Sequence, residues 1–200
     1  SDPNPERRRL FEQRFHIATT DDNCHLVRES RILLLAVKPQ QYREVVREFG
    51  NLVREDHLVV SIMAGVSTAS IENSFPRIKA RVVRAMPNLA AHVGAGMAGV
   101  CPGRYASEAD LLRAQRIFDA SGKSVHIADE GLMDAVTAVS GTGPAYYYFF
   151  TEALMEAAKR VGLSPQHANL LAKQTALGAA RMMLESGEPP DVLRAKVTSP

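Results

Sequence analysis

Cysteine is nearly absent from this sequence. The 200 residues hold two, Cys24 and Cys101, too few and too far apart for a disulfide framework or a paired-cysteine metal site, which favours a reducing compartment, the cytoplasm. Long apolar runs are missing as well. The longest, residues 32–37, is strand-sized and well short of the roughly 18 residues that read as a membrane span. No charge of one sign accumulates: 24 lysines and arginines stand against 22 acids, a formal net charge of +2. The two signs are interspersed, so neither nucleic acid nor a membrane is an expected partner, and the densest basic run, residues 7–9, reads as a solvated helix face. His16, His25, His57, His92, His126 and His167 show no metal spacing; they read as surface or loop residues, and no metal is expected. The opening SDPNPERRR is not a signal peptide, and the chain does not start with methionine, which points to residues upstream. Aromatics make up only 6% of the chain, yet five stand together at residues 146–150.

What is present falls into two textures. Over residues 1–128, the strand candidates RILLLAV (31–37), HLVVSIMA (57–64), RVVRAM (81–86) and KSVHIA (123–128) alternate with polar helical patterns. Asn4 before Pro5 makes an N-cap and first position. Ser107 with Asp110 makes a capping-box start for a helix that runs through Ser121 to a stop at Gly122. This alternation predicts an α/β fold, a doubly wound and mostly parallel sheet covered on both faces, with ILLLAV as a doubly buried central strand. Over residues 129–200 the strand signals stop. Helices are expected at 129–139, 143–161, 165–186 and 190–196, with Ser164-Pro165 opening the third and Gly162 and Gly187 acting as stops.

The segment from Pro144 to Val161 is apolar nearly all round at its start, and the next helix carries small residues at Ala176, Gly178, Ala179 and Ala180. A helix that is apolar on every side needs cover on every side. Burial against a second copy of the chain is the expectation, with a local core helix as the alternative. In the first region a doubly wound sheet binds ligands at the carboxyl ends of its strands, which singles out Lys38-Pro39, Ala64-Gly65 and Pro87-Asn88. The run Gly94-Ala95-Gly96-Met97-Ala98-Gly99 matches G-x-G-x-x-G letter for letter. It follows a loop and runs into Pro102-Gly103 rather than opening a helix, so it reads as a strand or loop with chance glycines. A true phosphate-binding glycine loop is not expected within these residues.

The blocks LAVKPQ (35–40), VVSIMAGVS (59–67), RAMPN (84–88), DAVTAVSGTGPAY (134–146), QTALGAARMMLESG (174–187) and VTSP (197–200) together resemble the pyrroline-5-carboxylate reductases. The resemblance covers essentially the whole chain and corresponds to the middle of that enzyme, without its first strand and glycine loop and without its C-terminal segment. It implies an incomplete Rossmann-like sheet followed by an all-helical dimerisation domain, and an NADPH- or NADH-dependent reduction of pyrroline-5-carboxylate to proline, with NADP favoured. It also implies a small-molecule substrate and a homodimer through helices 143–161 and 165–186, or a higher oligomer. By matching positions, the cofactor falls to Ser1, Asn23, Ala36, Val37, Lys38, Pro39, Ile62, Met63 and Ala64, the substrate to Glu130 and Val197, and the reaction centre to Ser140 and Thr142. The chain departs from the family pattern at Leu89-Ala90, Thr142, Met63 and Lys196; a methionine at 63 would stand beside the cofactor and alter its fit. Two alternatives stand beside the reductase: a non-catalytic dimerising remnant, expected of a chain that begins at Ser1 and ends at Pro200, and a reductase of a related imine or hydroxy acid.

Overall fold

Each apolar run read as a strand forms one in the computed structural model, which describes residues 1–198. Two helices, α1 (Pro5–Phe15) and α2 (Asn23–Glu29), precede β1 (Ile32–Leu35). The chain continues through α3 (Tyr42–Phe49), β2 (Leu58–Ser61), α4 (Thr68–Glu72), β3 (Arg81–Pro87), β4 (Gly96–Pro102), α5 (Glu108–Asp119) and β5 (Gly122–His126). The strands lie side by side in chain order. Pairs β1–β2, β2–β3 and β4–β5 are parallel and each is joined by a helix, whereas β3–β4 is antiparallel. The link from Asn88 to Ala95 is a single 3-10 turn (Leu89–Val93), too short for the crossover that a parallel pair requires.

The sheet is covered on both faces, so its central strands read as unbroken apolar runs rather than alternating ones. One face buries Leu33, Leu35, Val59 and Val82 with Val46, Phe49, Ile71 and Phe75; the other buries Leu58, Val60, Val83, Ala85 and Val100 with Leu111, Ala114 and Phe118 of α5. The capping signals are also realised. Asn4 accepts from the N–H groups of Glu6 and Arg7, and Ser107 and Asp110 cap each other. Among the described residues β1 pairs on one side only, with β2, and its Leu34 is 46% exposed. His57 is corrected as well. It is 1% exposed, and its Nδ1 accepts the Arg54 N–H at 2.9 Å; burial, aided by the nearby Arg54 cation, holds its imidazole below the ordinary histidine value.

The glycines of the G-x-G-x-x-G run are not chance residues. They lie in and beside β4, where a Cβ on Gly99 would come within 2.6 Å of Val136 Cγ1 and one on Gly96 within 2.9 Å of Ala91. Gly96 and Gly99 serve close backbone approach inside the fold, whereas Gly94, at φ +71°, ends the 3-10 turn in the left-handed conformation.

Beyond the sheet come a 3-10 turn (Glu130–Leu132), the short helix α6 (Met133–Val136) and a π-turn (Thr137–Gly141). These are helical, as the sequence suggests, and they pack on the sheet through Val136 and Gly141, within the compact unit that runs from Ser1 to Thr142. The second unit holds α7 (Gly143–Arg160), α8 (Pro165–Glu185) and α9 (Pro190–Val197). Ser164 caps α8 by accepting the His167 N–H, with Pro165 at the first position. Helices α7 and α8 pack on each other, yet the buried residues of this pair are Gly143, Ala168 and Ala172. Among the described residues all five aromatics from Tyr146 to Phe150 are exposed, Phe149 at 74%.

Candidate active site at the carboxyl edge of the sheet

The parallel register sets Leu35, Ser61 and Arg84 abreast, so the residues that follow them emerge on one edge. Seven of the nine cofactor positions fall there. Ala36 and Val37 continue β1 and line, with Ser1, Asn23 and Leu26, a cavity of about 130 Å³. In that cavity the Ser1 hydroxyl donates to Asn23 Oδ1, and the Asn23 amide donates to Glu48 at 2.6 Å, linking α2 to α3. The exposed Lys38 and half-buried Pro39 form the next turn, closed by the Gln41 N–H on the Lys38 carbonyl at 2.9 Å.

After β2, Ile62 is half-buried and Ala64 exposed. Gly65 has φ +70°, a conformation only glycine takes freely, and no atom lies within 4 Å of where its Cβ would be. The backbone here is open to a ligand. Met63 does not stand beside it: the side chain is 2% exposed and belongs to the core with Val59 and Ile71. The expected effect of a bulky residue against the cofactor is thereby corrected, because the strand's alternation turns this side chain inward.

The positions that the resemblance assigns to the reaction centre are tied to the same edge through Asn88, which follows β3. Its Nδ2 donates to the Ser140 carbonyl at 3.2 Å and to Ser140 Oγ at 3.4 Å, while its Oδ1 accepts from the Met97 N–H at 3.2 Å. Ser140 lies in the π-turn and Thr142 closes it, donating its N–H to the Thr137 carbonyl at 2.7 Å. Such one-turn π-segments recur at functional sites, where they widen the backbone and re-aim its groups. Gly141 allows the turn to sit on Met86: a Cβ there would come within 2.9 Å of Met86 Cε.

Glu130 is joined to this edge by a buried arginine. Arg84, 5% exposed, donates to Glu130 at 3.2 Å and lies 3.7 Å from Asp134. The other bonds to Glu130 come from the N-terminus of α4, the Thr68 N–H at 2.7 Å and the Thr68 hydroxyl at 2.6 Å. Opposite Arg84 in the ladder is Cys101. Burial, then the Glu130 carboxylate, push its thiol above the ordinary value, which leaves it inert as a nucleophile. Sequence reasoning assigned no role to Arg84; its signal was a charged residue inside an apolar strand. Val197 ends α9 in the helical unit, exposed, and Ser199 and Pro200 of the VTSP block lie outside the described residues.

Comparison with known proteins agrees with this architecture. Residues 130–200 match the family model described as pyrroline-5-carboxylate reductase dimerisation, and residues 1–65 match that of NADP oxidoreductase, coenzyme F420-dependent. A pyrroline-5-carboxylate reductase of Methanosarcina acetivorans is 43% identical over 190 residues, which span 95% of this chain and 70% of that protein. The structure of the Coxiella burnetii pyrroline-5-carboxylate reductase superposes with a TM-score of 0.93 at 36% identity, covering 100% of this chain and 74% of that one. The Plasmodium falciparum pyrroline carboxylate reductase, solved with NADP bound, superposes at 0.84 with 30% identity over 94% of this chain and 70% of that one. With a relative 43% identical over 95% of this chain and a dimerisation family model matched at residues 130–200, this chain belongs to the pyrroline-5-carboxylate reductase family.

Proposed function

We propose that this chain is an imine reductase that converts L-1-pyrroline-5-carboxylate to L-proline, the last step of proline biosynthesis, using NADPH. NADPH, when bound, supplies a hydride to the imine carbon; the C=N bond becomes a single bond, the nitrogen keeps its proton, and NADP⁺ and proline leave. Adding hydride to a protonated imine calls for orientation and a hold on the substrate carboxylate, not for a strong general base. The edge has that character: the Glu130 carboxylate is committed to Thr68 and Arg84, and Cys101 is held protonated. The observation that carries the reading is the tether from Asn88 to Ser140, which brings the signature turn to the edge where Ala36, Ile62 and Ala64 emerge.

The residues present suit the cofactor in part. Ser1 and Asn23 offer a hydroxyl and an amide at the cavity beside β1, and the open backbone at Ala64-Gly65 admits a flat ring. Among the described residues no glycine loop joins a strand to a helix in the manner of a pyrophosphate cradle, since the matching run is β4. NADP is favoured over NAD because residues 1–65 match a family of NADP oxidoreductases and the related Plasmodium falciparum reductase was solved with NADP bound.

The partner is a second copy of the chain, seated on the exposed aromatic face of α7 and on α8, with further assembly of dimers open to it. The free thiols Cys24 and Cys101 suit a reducing cytoplasm. Among the described residues no helix is long and apolar enough to cross a membrane.

The test is the loss of NADPH absorbance when pyrroline-5-carboxylate is added to the full chain. Turnover on this imine and none on 2-hydroxy or 2-keto acids is expected; cofactor binding without consumption of the imine contradicts the assignment. In the same assay Glu130→Ala raises the substrate KM more than the cofactor Kd. An unchanged KM with a lower melting temperature would instead make Glu130 only the clamp between Arg84 and α4.

A further inference from the structure

Asn88 has the backbone of an N-cap residue, φ −123° and ψ 170°, immediately before the 3-10 turn Leu89–Val93, yet its side chain makes no capping bond there. Asparagine at such a position ordinarily accepts from the first free N–H groups of the turn. Here the side chain is turned away and joins three segments distant in sequence. Its oxygen takes the Met97 N–H at the start of β4, and its amide donates to both the carbonyl and the hydroxyl of Ser140. Capping ability is given up for a long-range tether.

The Ser140 carbonyl benefits from such a donor because the π-turn ends at Gly141, where the last carbonyls of a helical segment lose their ladder partners. A further contact of the turn with β3 is apolar, Met86 against Gly141; it fixes depth but not rotation. The amide fixes rotation. With an N–H directed at Ser140 Oγ, the hydroxyl keeps its own proton free to donate to an anionic group.

We propose that Asn88 is a positioning residue for the reduction, acting through Ser140 by locking the orientation of the Ser140–Thr142 turn. The proposal rests on the imine-reductase reading, since the turn matters to turnover only if the chemistry occurs at this edge.

Asn88→Asp separates this role from a merely structural one. It keeps the size and the acceptor for the Met97 N–H, but it replaces the donors facing the Ser140 carbonyl with a second acceptor. The expected result is a fall in kcat of about tenfold to a hundredfold, the scale of a small misplacement, with the NADPH Kd within about twofold of wild type. Backbone hydrogen exchange over residues 137–142 should quicken while that of β2 and β3 does not. Unchanged kcat overturns the proposal, as does unchanged exchange in the turn, or a loss of NADPH affinity that parallels the loss of kcat. If Asn88→Asp does not fold, Asn88→Ser is judged by the same three readouts. Wild-type turnover reports on the reductase reading by itself, and the exchange comparison decides the tether even for a chain without turnover.

Discussion

The sheet unit and the helical unit draw on similar apolar residues and dispose of them in opposite ways. In the first, Val60, Val82, Ile71 and Val100 are sealed between strands and helices of the same chain. In the second, Tyr147, Phe149, Leu170 and Leu184 stand exposed, although α7 and α8 are long and regular and Ser164 caps α8. Exposed apolar area on that scale, continuous along two helices, marks an interaction surface. The contrast teaches that one unit buries its apolar residues within its own chain, whereas the other leaves apolar helix faces exposed, in a segment that matches a family model described as pyrroline-5-carboxylate reductase dimerisation.

The largest effect that could break this comparison is electrostatic. Phe149→Glu combined with Phe150→Glu places two charges on the exposed face of α7. Association should weaken by about a thousandfold, or about 4 kcal/mol, while the sheet unit keeps its unfolding transition. A variant that associates as tightly as wild type would mean that α7 is not the seam.

A core truncation probes the opposite side. Ile71 is fully buried in the first unit, so Ile71→Ala should cost about 3 kcal/mol in urea unfolding and leave the oligomeric mass unchanged. A change in mass without a loss of stability would show that the two units are not independent in this respect.

Smaller still is the effect at Asp110, a buried carboxylate bonded to Ser107, Arg81 and Arg113. Burial alone would raise its pKa, but the Ser107 bonds and then the Arg81 and Arg113 cations outweigh it and hold the group below the usual carboxylate range. Its contribution is therefore present above the unfolded value of about 3.9 and is lost as pH falls through the lower folded value. Asp110→Asn should reduce stability by about 2 kcal/mol at neutral pH, and the gap from wild type should close as pH drops below about 4. A gap that is independent of pH in denaturation curves contradicts this account.

The same comparison explains what the sequence made legible. Strands β1, β2, β3 and β5 and the caps at Asn4, Ser107 and Ser164 were readable because apolar runs and capping side chains act locally. Strand β4 was only half readable: its glycines at 96 and 99 serve close packing against Ala91 and Val136, partners that no local pattern reveals. The candidate site was legible as a set of positions at strand ends, joined by the resemblance to a family. Its wiring was not, because Arg84 to Glu130 and Asn88 to Ser140 are contacts between segments far apart in sequence, and the inward turn of Met63 follows from the pleat rather than from its neighbours in the chain.

The central claim, that a second copy of this chain covers the aromatic face of α7, is tested most directly by light scattering on the wild-type chain at micromolar concentration. The account predicts the mass of two chains or an even multiple of it. The mass of a single chain, with α7 and α8 still helical, would contradict it.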